Sequence, residues 1–150
     1  MNDNLVQVFI PAAPTFYVHR DVYVKIIDAI PAGYLTTDDA IRQFIAETYG
    51  EKNISIPDNW TWTLAEIQQG IDHPYWRMVS VRGLIQESRF GYSMDERKRR
   101  LEAEGHAITL SKSGVSYQVH GYKERMFDLK QIASIMPTKD KAQYYTGFSP

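Results

Sequence analysis

Hydrophobic positions recur at helical spacing in the first third of the chain. In RDVYVKIIDAIPAG, residues 20–33, Val22, Ile26, Ala29 and Ile30 fall on one face of a helix that Pro31 ends and Gly33 turns. Asp21 lies in its first turn, where the helix dipole favours an acid. In TTDDAIRQFIAETYG, residues 36–50, hydroxyls and acids open a second helix and Gly50 stops it. Its stripe for burial is Ile41, Phe44, Ile45 and Thr48. After the polar loop EKNISIPDNWTW, the stretch TLAEIQQGI starts a third helix with a capping box. Thr63 can accept from the Glu66 amide while the Glu66 side chain reaches back to the Thr63 amide. This helix is expected to run to about Asp72, and Pro74 stops it.

Beyond Pro74 the pattern changes. RMVSVRGLI reads as a hairpin turning at Arg82–Gly83. SMDERKRRLEAEG reads as a largely solvated helix with a second capping box, Ser93 to Glu96, and a closing Gly105. HAITLSKSGVSYQVHG is a second hairpin, turning at KSG, and KERMFDLKQIASIM an amphipathic C-terminal helix with Met126, Leu129, Ile132, Ala133 and Met136 on its apolar face. Residues 1–18 form an extended arm, with LVQVFI as a short strand. Residues 137–150 are expected to be a flexible tail on a single domain of residues 1–136. Three helices followed by a hairpin give an α+β fold class: a winged helix-turn-helix-like arrangement with a second hairpin and a C-terminal helix.

Composition narrows the chemistry. The chain of 150 residues has no cysteine, which removes disulfides, a thiolate nucleophile and cysteine-ligated metal. The four histidines are scattered without ligand spacing, and there is no glycine-rich phosphate loop, so neither metal nor cofactor is expected. No apolar run approaches the roughly 18 residues of a membrane span. The N-terminus lacks a basic region, so the protein reads as cytoplasmic. Charge is uneven. Residues 21–73 hold nine acids and three bases, 3 − 9 = −6, whereas residues 74–100 hold seven bases and three acids, 7 − 3 = +4.

Three stretches, in order, carry a resemblance. VYVKIIDAIPAGYLTTDDAI resembles the helix and IP-G-V-TTYG-IA pattern of the alkylguanine-DNA alkyltransferases. HPYWRMVSVRGLI resembles their VP-C/W-HRVI-S-G-I active-site segment, and YSMDERKRRLEAEGHAI their YSGG loop and K--LL--EG helix. The likeness spans about residues 20–110 and is nearest to the cysteine-less alkyltransferase-like proteins. It implies minor-groove binding and a target base flipped into a pocket, because the alkylated atom is inaccessible inside the stack. Pro74, Arg77, Gly83, Tyr92, Ser93 and the LEAEG end keep the pattern. Tyr75 stands at the cysteine position, Trp76 at the following histidine, Asp38 at the tyrosine that helps rotate the nucleotide, and Ala65 near the intercalating arginine. A phenol of pKa about 10 with no adjacent base is a poor alkyl acceptor, so the chain is expected not to be an enzyme.

Two functions follow as expectations. In the first, a catalytically inactive alkyltransferase-like protein binds duplex DNA, with an alkylated or flipped base, in a sensing or regulatory role. Tyr75, Tyr92 and Ser93 would line the base pocket, and Arg77, Arg82, Arg89, Arg97 and Arg100 would meet the backbone. In the second, DNA binding is lost and the acidic face of Asp38, Asp39, Glu66 and Asp72 meets a basic protein partner.

Overall fold

The computed structural model describes residues 14–56, 65–86 and 91–143. The expected strand at residues 5–10, Thr63 of the first capping box and Arg89 lie outside the described residues. Strand β1 (Phe16–Tyr17) pairs in parallel with β2 (Ile54–Ser55), Phe16 opposite Ile54. Between them stand two helices. Helix α1 (Arg20–Ala29) is capped by the His19 ring, which accepts from the Asp21 amide, and ends at Ile30 just before Pro31. Helix α2 (Asp38–Tyr49) is capped by the Thr37 side chain and closed by Gly50 in the left-handed region. Its buried stripe is Ile41, Phe44, Ile45 and Tyr49. Thr48 turns outward, and its hydroxyl donates back to the Phe44 carbonyl. Ile26, Ile27, Ile41 and Ile45 are wholly buried in the core, and each such side chain stabilises by roughly 1.5–3 kcal/mol.

Residues 65–68 are helical, and we label them α3. Gly70, at φ +82°, ends the run before Asp72, with the Ile71 amide bonding back to the Glu66 carbonyl. One turn of 3-10 helix, Tyr75–Arg77, follows Pro74. The stretch expected to be a hairpin from 77 to 85 turns where expected, the Gly83 amide donating to the Ser80 carbonyl. The Ser80 amide also donates to the Leu84 carbonyl across the turn, but beyond that bond the two arms go to different partners. Met78 bridges to Thr36 in the α1–α2 connection, whereas β3 (Leu84–Ile85) pairs antiparallel with β5 (Tyr117–Val119). The expected second hairpin is present: β4 (Ile108–Leu110) pairs with β5, giving a three-stranded antiparallel sheet in the order β3-β5-β4.

Helix α4 (Met94–Ala103) packs on this sheet and on the 3-10 turn. Only half of its capping box forms: Ser93 accepts from the Glu96 amide, while the Glu96 carboxylate turns to Arg99 and Arg100. The single C-terminal helix expected over 123–136 is broken. It consists of a short α5 (Tyr122–Arg125) and a 3-10 stretch (Leu129–Ile135), because Met126 leaves the helix to bridge Leu35 and Asp128 caps the next turn. Nor does a loose tail begin at 137. Helix α6 (Lys139–Ala142) buries Ala142 completely, the Tyr49 hydroxyl donates to the Pro137 carbonyl, and the His19 amide donates to the Ala142 carbonyl.

Candidate nucleic-acid site

The segment around Tyr75 is tied down from below. Arg77 donates through Nε and Nη2 to the Glu104 carboxylate, at 3.0 Å to Oε1 and 2.8 Å to Oε2, and through Nη1 to the Ile30 carbonyl at 2.5 Å. The Trp76 indole N–H donates to the same carboxylate at 2.9 Å. Burial alone would raise the Glu104 carboxyl, but the hydrogen bonds from Arg77 and Trp76 outweigh it and hold the group below its usual range. Trp76 thus keeps a polar link at the histidine position, yet indole donates only and has no lone pair for a proton. Trp76 therefore cannot serve as a general base toward residue 75.

A second knot joins the loop after α3 to α4. Arg100 lies over Trp76, 4.5 Å from its ring centroid, and over Tyr92 at 5.1 Å. It pairs with Asp72 at 2.6 Å and Glu96 at 2.8 Å. The Tyr92 hydroxyl also donates to Asp72. Burial and the adjoining carboxylate raise the Tyr92 phenol, so it stays protonated and remains a donor. Hydrogen bonds from Arg99, then Arg100, pull the Glu96 carboxyl down to about 2.

Several expected site residues therefore sit elsewhere than a DNA-facing surface would have them. Tyr75 is 2% exposed and packs edge-on against His73; it is core, not open pocket wall. Tyr92 is buried in the Asp72–Arg100 knot, and Ser93 is exposed but spends its hydroxyl on the cap. Arg97 is 4% exposed and donates to the Met78 carbonyl at 2.7 Å, so it does not reach a phosphate. Arg77 is committed to Glu104 and Ile30, and Arg100 to Asp72 and Glu96. Arg82, exposed at the tip of the 80–83 turn, has no side-chain partner among the described residues.

The acids are largely spoken for as well. Glu66 pairs with Arg20 and lies 3.2 Å from His73, whose other ring nitrogen is 2.7 Å from Asp28. Asp38 accepts from Arg42 at 2.8 Å and from the Tyr23 hydroxyl at 2.5 Å. Asp39, exposed in the first turn of α2, has no partner among the described residues. The imbalance of −6 counted along residues 21–73 is thus met in space by bases from outside that stretch, Arg20, Arg100 and Lys139 among them.

A cavity of about 270 Å³ opens where α2 begins. Thr37, Asp38 and Asp39 form one side, Met78 to Val81 the other, and Arg97 and Leu84 complete it. Linear reading missed it because its walls come from the α1–α2 connection, the 78–86 segment and α4, which the Thr36–Met78 bridge and the Arg97–Met78 bond help bring together. The one signal available was Asp38, already matched to a nucleotide-rotating position. Among the described residues no cluster of side chains could hold a metal ion, and no helix is long and apolar enough to cross a membrane.

Helix pair, 3-10 turn and three-stranded sheet define an alkyltransferase-like fold, mixed in helix and strand. No family model and no curated protein matches the chain. Among solved structures it is similar to S. pombe Atl1, crystallised in complex with damaged DNA containing O6-carboxymethylguanine. The TM-score is 0.53 at 20% identity, over 73% of this chain and 94% of that one.

Proposed function

We propose that this protein binds DNA without repairing it, as a non-enzymatic alkyltransferase-like protein, and that the cavity beside Asp38 receives an alkylated base turned out of the duplex. The observation that supports this reading best is a base-sized cavity on the segment that resembles an alkyltransferase active site, in a chain with no thiol to accept an alkyl group. Its similarity in fold to a protein solved with damaged DNA agrees. Recognition without transfer leaves the lesion in place, so the role is to mark damage for other proteins. Arg82, unpaired among the described residues and beside the cavity wall at Val81, makes the phosphate contact. A protein partner on the acidic face has less support, since Glu66, Asp72 and Asp38 are engaged internally.

The test is a salt titration of binding to plain and O6-methylguanine duplexes. Tighter binding to the lesion is expected, with a negative dependence on log salt. Arg82→Gln should reduce that slope by up to about 0.9, the share of one phosphate contact. Equal affinity for both duplexes, or none at physiological salt, would overturn the proposal.

A further inference from the structure

A second cavity, of about 300 Å³, shares Thr37 and Val81 with the first. Its character is different. Tyr122, Met126 and Phe127 give it a mostly apolar, aromatic wall, and Lys123 stands beside them. Both rings are braced. Tyr34 packs edge-on against Phe127, with centroids 5.8 Å apart and planes at 75°. Tyr122 lies against Gly83 so closely that a Cβ there would come within 2.4 Å of its ring. Lys123 is exposed and pairs with no acid among the described residues. Thr36, which also lines the cavity, has a buried hydroxyl with no hydrogen-bond partner among the described residues.

We infer that this cavity seats the nucleotide adjoining the extruded base, an inference that rests on the function proposed above. A rigid aromatic wall with a cation beside it suits a base that stacks and a phosphate that needs a counter-charge. The shared wall at Val81 puts the two cavities side by side, as consecutive nucleotides of one strand require. A long apolar substituent on the extruded base would fill the same space but has no use for Lys123, so the charge favours the nucleotide.

Photocrosslinking tests this. Duplexes carry O6-methylguanine with 5-iododeoxyuridine on its 5′ or its 3′ side, and labelled peptides are mapped by mass spectrometry. One of the two flanks should label Tyr122 or Phe127. Lys123→Gln should weaken lesion binding about three- to tenfold and lower the salt slope by up to about 0.9. An abasic flank on the labelling side should weaken wild-type binding about fivefold or more. A parallel duplex carries an aryl azide on the O6 substituent. If that probe labels the 122–127 wall and neither flank does, the cavity holds the adduct and the inference falls. Lesion-selective binding with no label on 122–127 from any probe overturns the inference and leaves the proposed function standing. Binding without lesion selectivity overturns both.

Discussion

Replacing Gly83 by alanine should cost more than any other single methyl on the 80–85 segment. Gly83 sits at φ +73°, in the left-handed region. An alanine there loses roughly 1–2 kcal/mol to contact between its Cβ and the backbone. The same Cβ would lie 2.4 Å from Cδ1 and Cγ of Tyr122 and 2.9 Å from its Cβ. Carbon pairs settle at about 3.5–4.0 Å, so the ring must retreat by more than about 1 Å or the turn must lift. Forced overpacking of this kind costs about 1–3 kcal/mol. The expected total is therefore about 2–5 kcal/mol, read by urea denaturation with linear extrapolation. Tyr122→Ala removes the ring overlap but leaves the backbone penalty and the 2.9 Å approach of the two Cβ atoms. The double variant should therefore be more stable than the sum of the two single losses by about 1–3 kcal/mol. Additivity within about 0.5 kcal/mol, or a Gly83→Ala loss under about 1 kcal/mol, would refute the packing of Tyr122 on the turn.

Other expectations can be checked in parallel. Tyr75→Cys should accept no alkyl group from O6-methylguanine DNA, because the new thiol would be buried in apolar surroundings at a position 2% exposed; a stoichiometric mass gain would contradict this. Glu104→Ala should destabilise by about 3–5 kcal/mol, since it strands the Arg77 guanidinium, whose side chain is only 14% exposed. The Glu104 carboxyl is depressed in the folded state, so its contribution is complete above the ordinary carboxylate range. It fades as pH falls through the folded value, and Glu104→Gln should flatten that acid limb. Burial lowers the His106 imidazole. The unfolded chain then takes up the proton first, so stability should drop as pH falls below about 6.5. His106→Gln should remove that part of the decline, followed by melting temperature from pH 5 to 8.

Local signals survived folding where both halves of the signal are close in sequence. Thr37 and Gly50 bound α2, and Ser93 opens α4, because a cap needs only its own first turn. The hairpin of β4 and β5 likewise closes over a few residues. Met78 and Leu84 look like hairpin partners in one dimension, but only the Ser80–Leu84 bond closes that hairpin, while Thr36 takes the backbone groups of Arg77 and Val79 and Val119 bonds the Gly83 carbonyl. Residues 123–136 have good helical periodicity, yet Leu35 draws Met126 into a bridge and splits them. The basic run 97–100 resembles a phosphate-binding stripe in sequence. Its fourfold charge is dispersed once α4 docks, with Arg97 turned inward, Arg99 and Arg100 on Glu96, and Lys98 on Glu102. Side-chain pairing across elements, which decides what a surface offers, left no periodic trace.

The backbone ties at either end of the described chain set an order on its biosynthesis. Val18 bridges Gln143, and the residue that caps α1, His19, gives its amide to Ala142. Val18 and His19 thus gain these contacts from residues made more than a hundred positions later. During vectorial synthesis α1 and α2 can form as they leave the ribosome and β1 can pair with β2, while the Val18 and His19 ties wait for α6. Because those ends lie side by side, a short linker joining them, with the chain reopened at the Ser111–Ser116 turn, should give a circular permutant that folds. In it the latest contact of the natural chain would become one of the earliest.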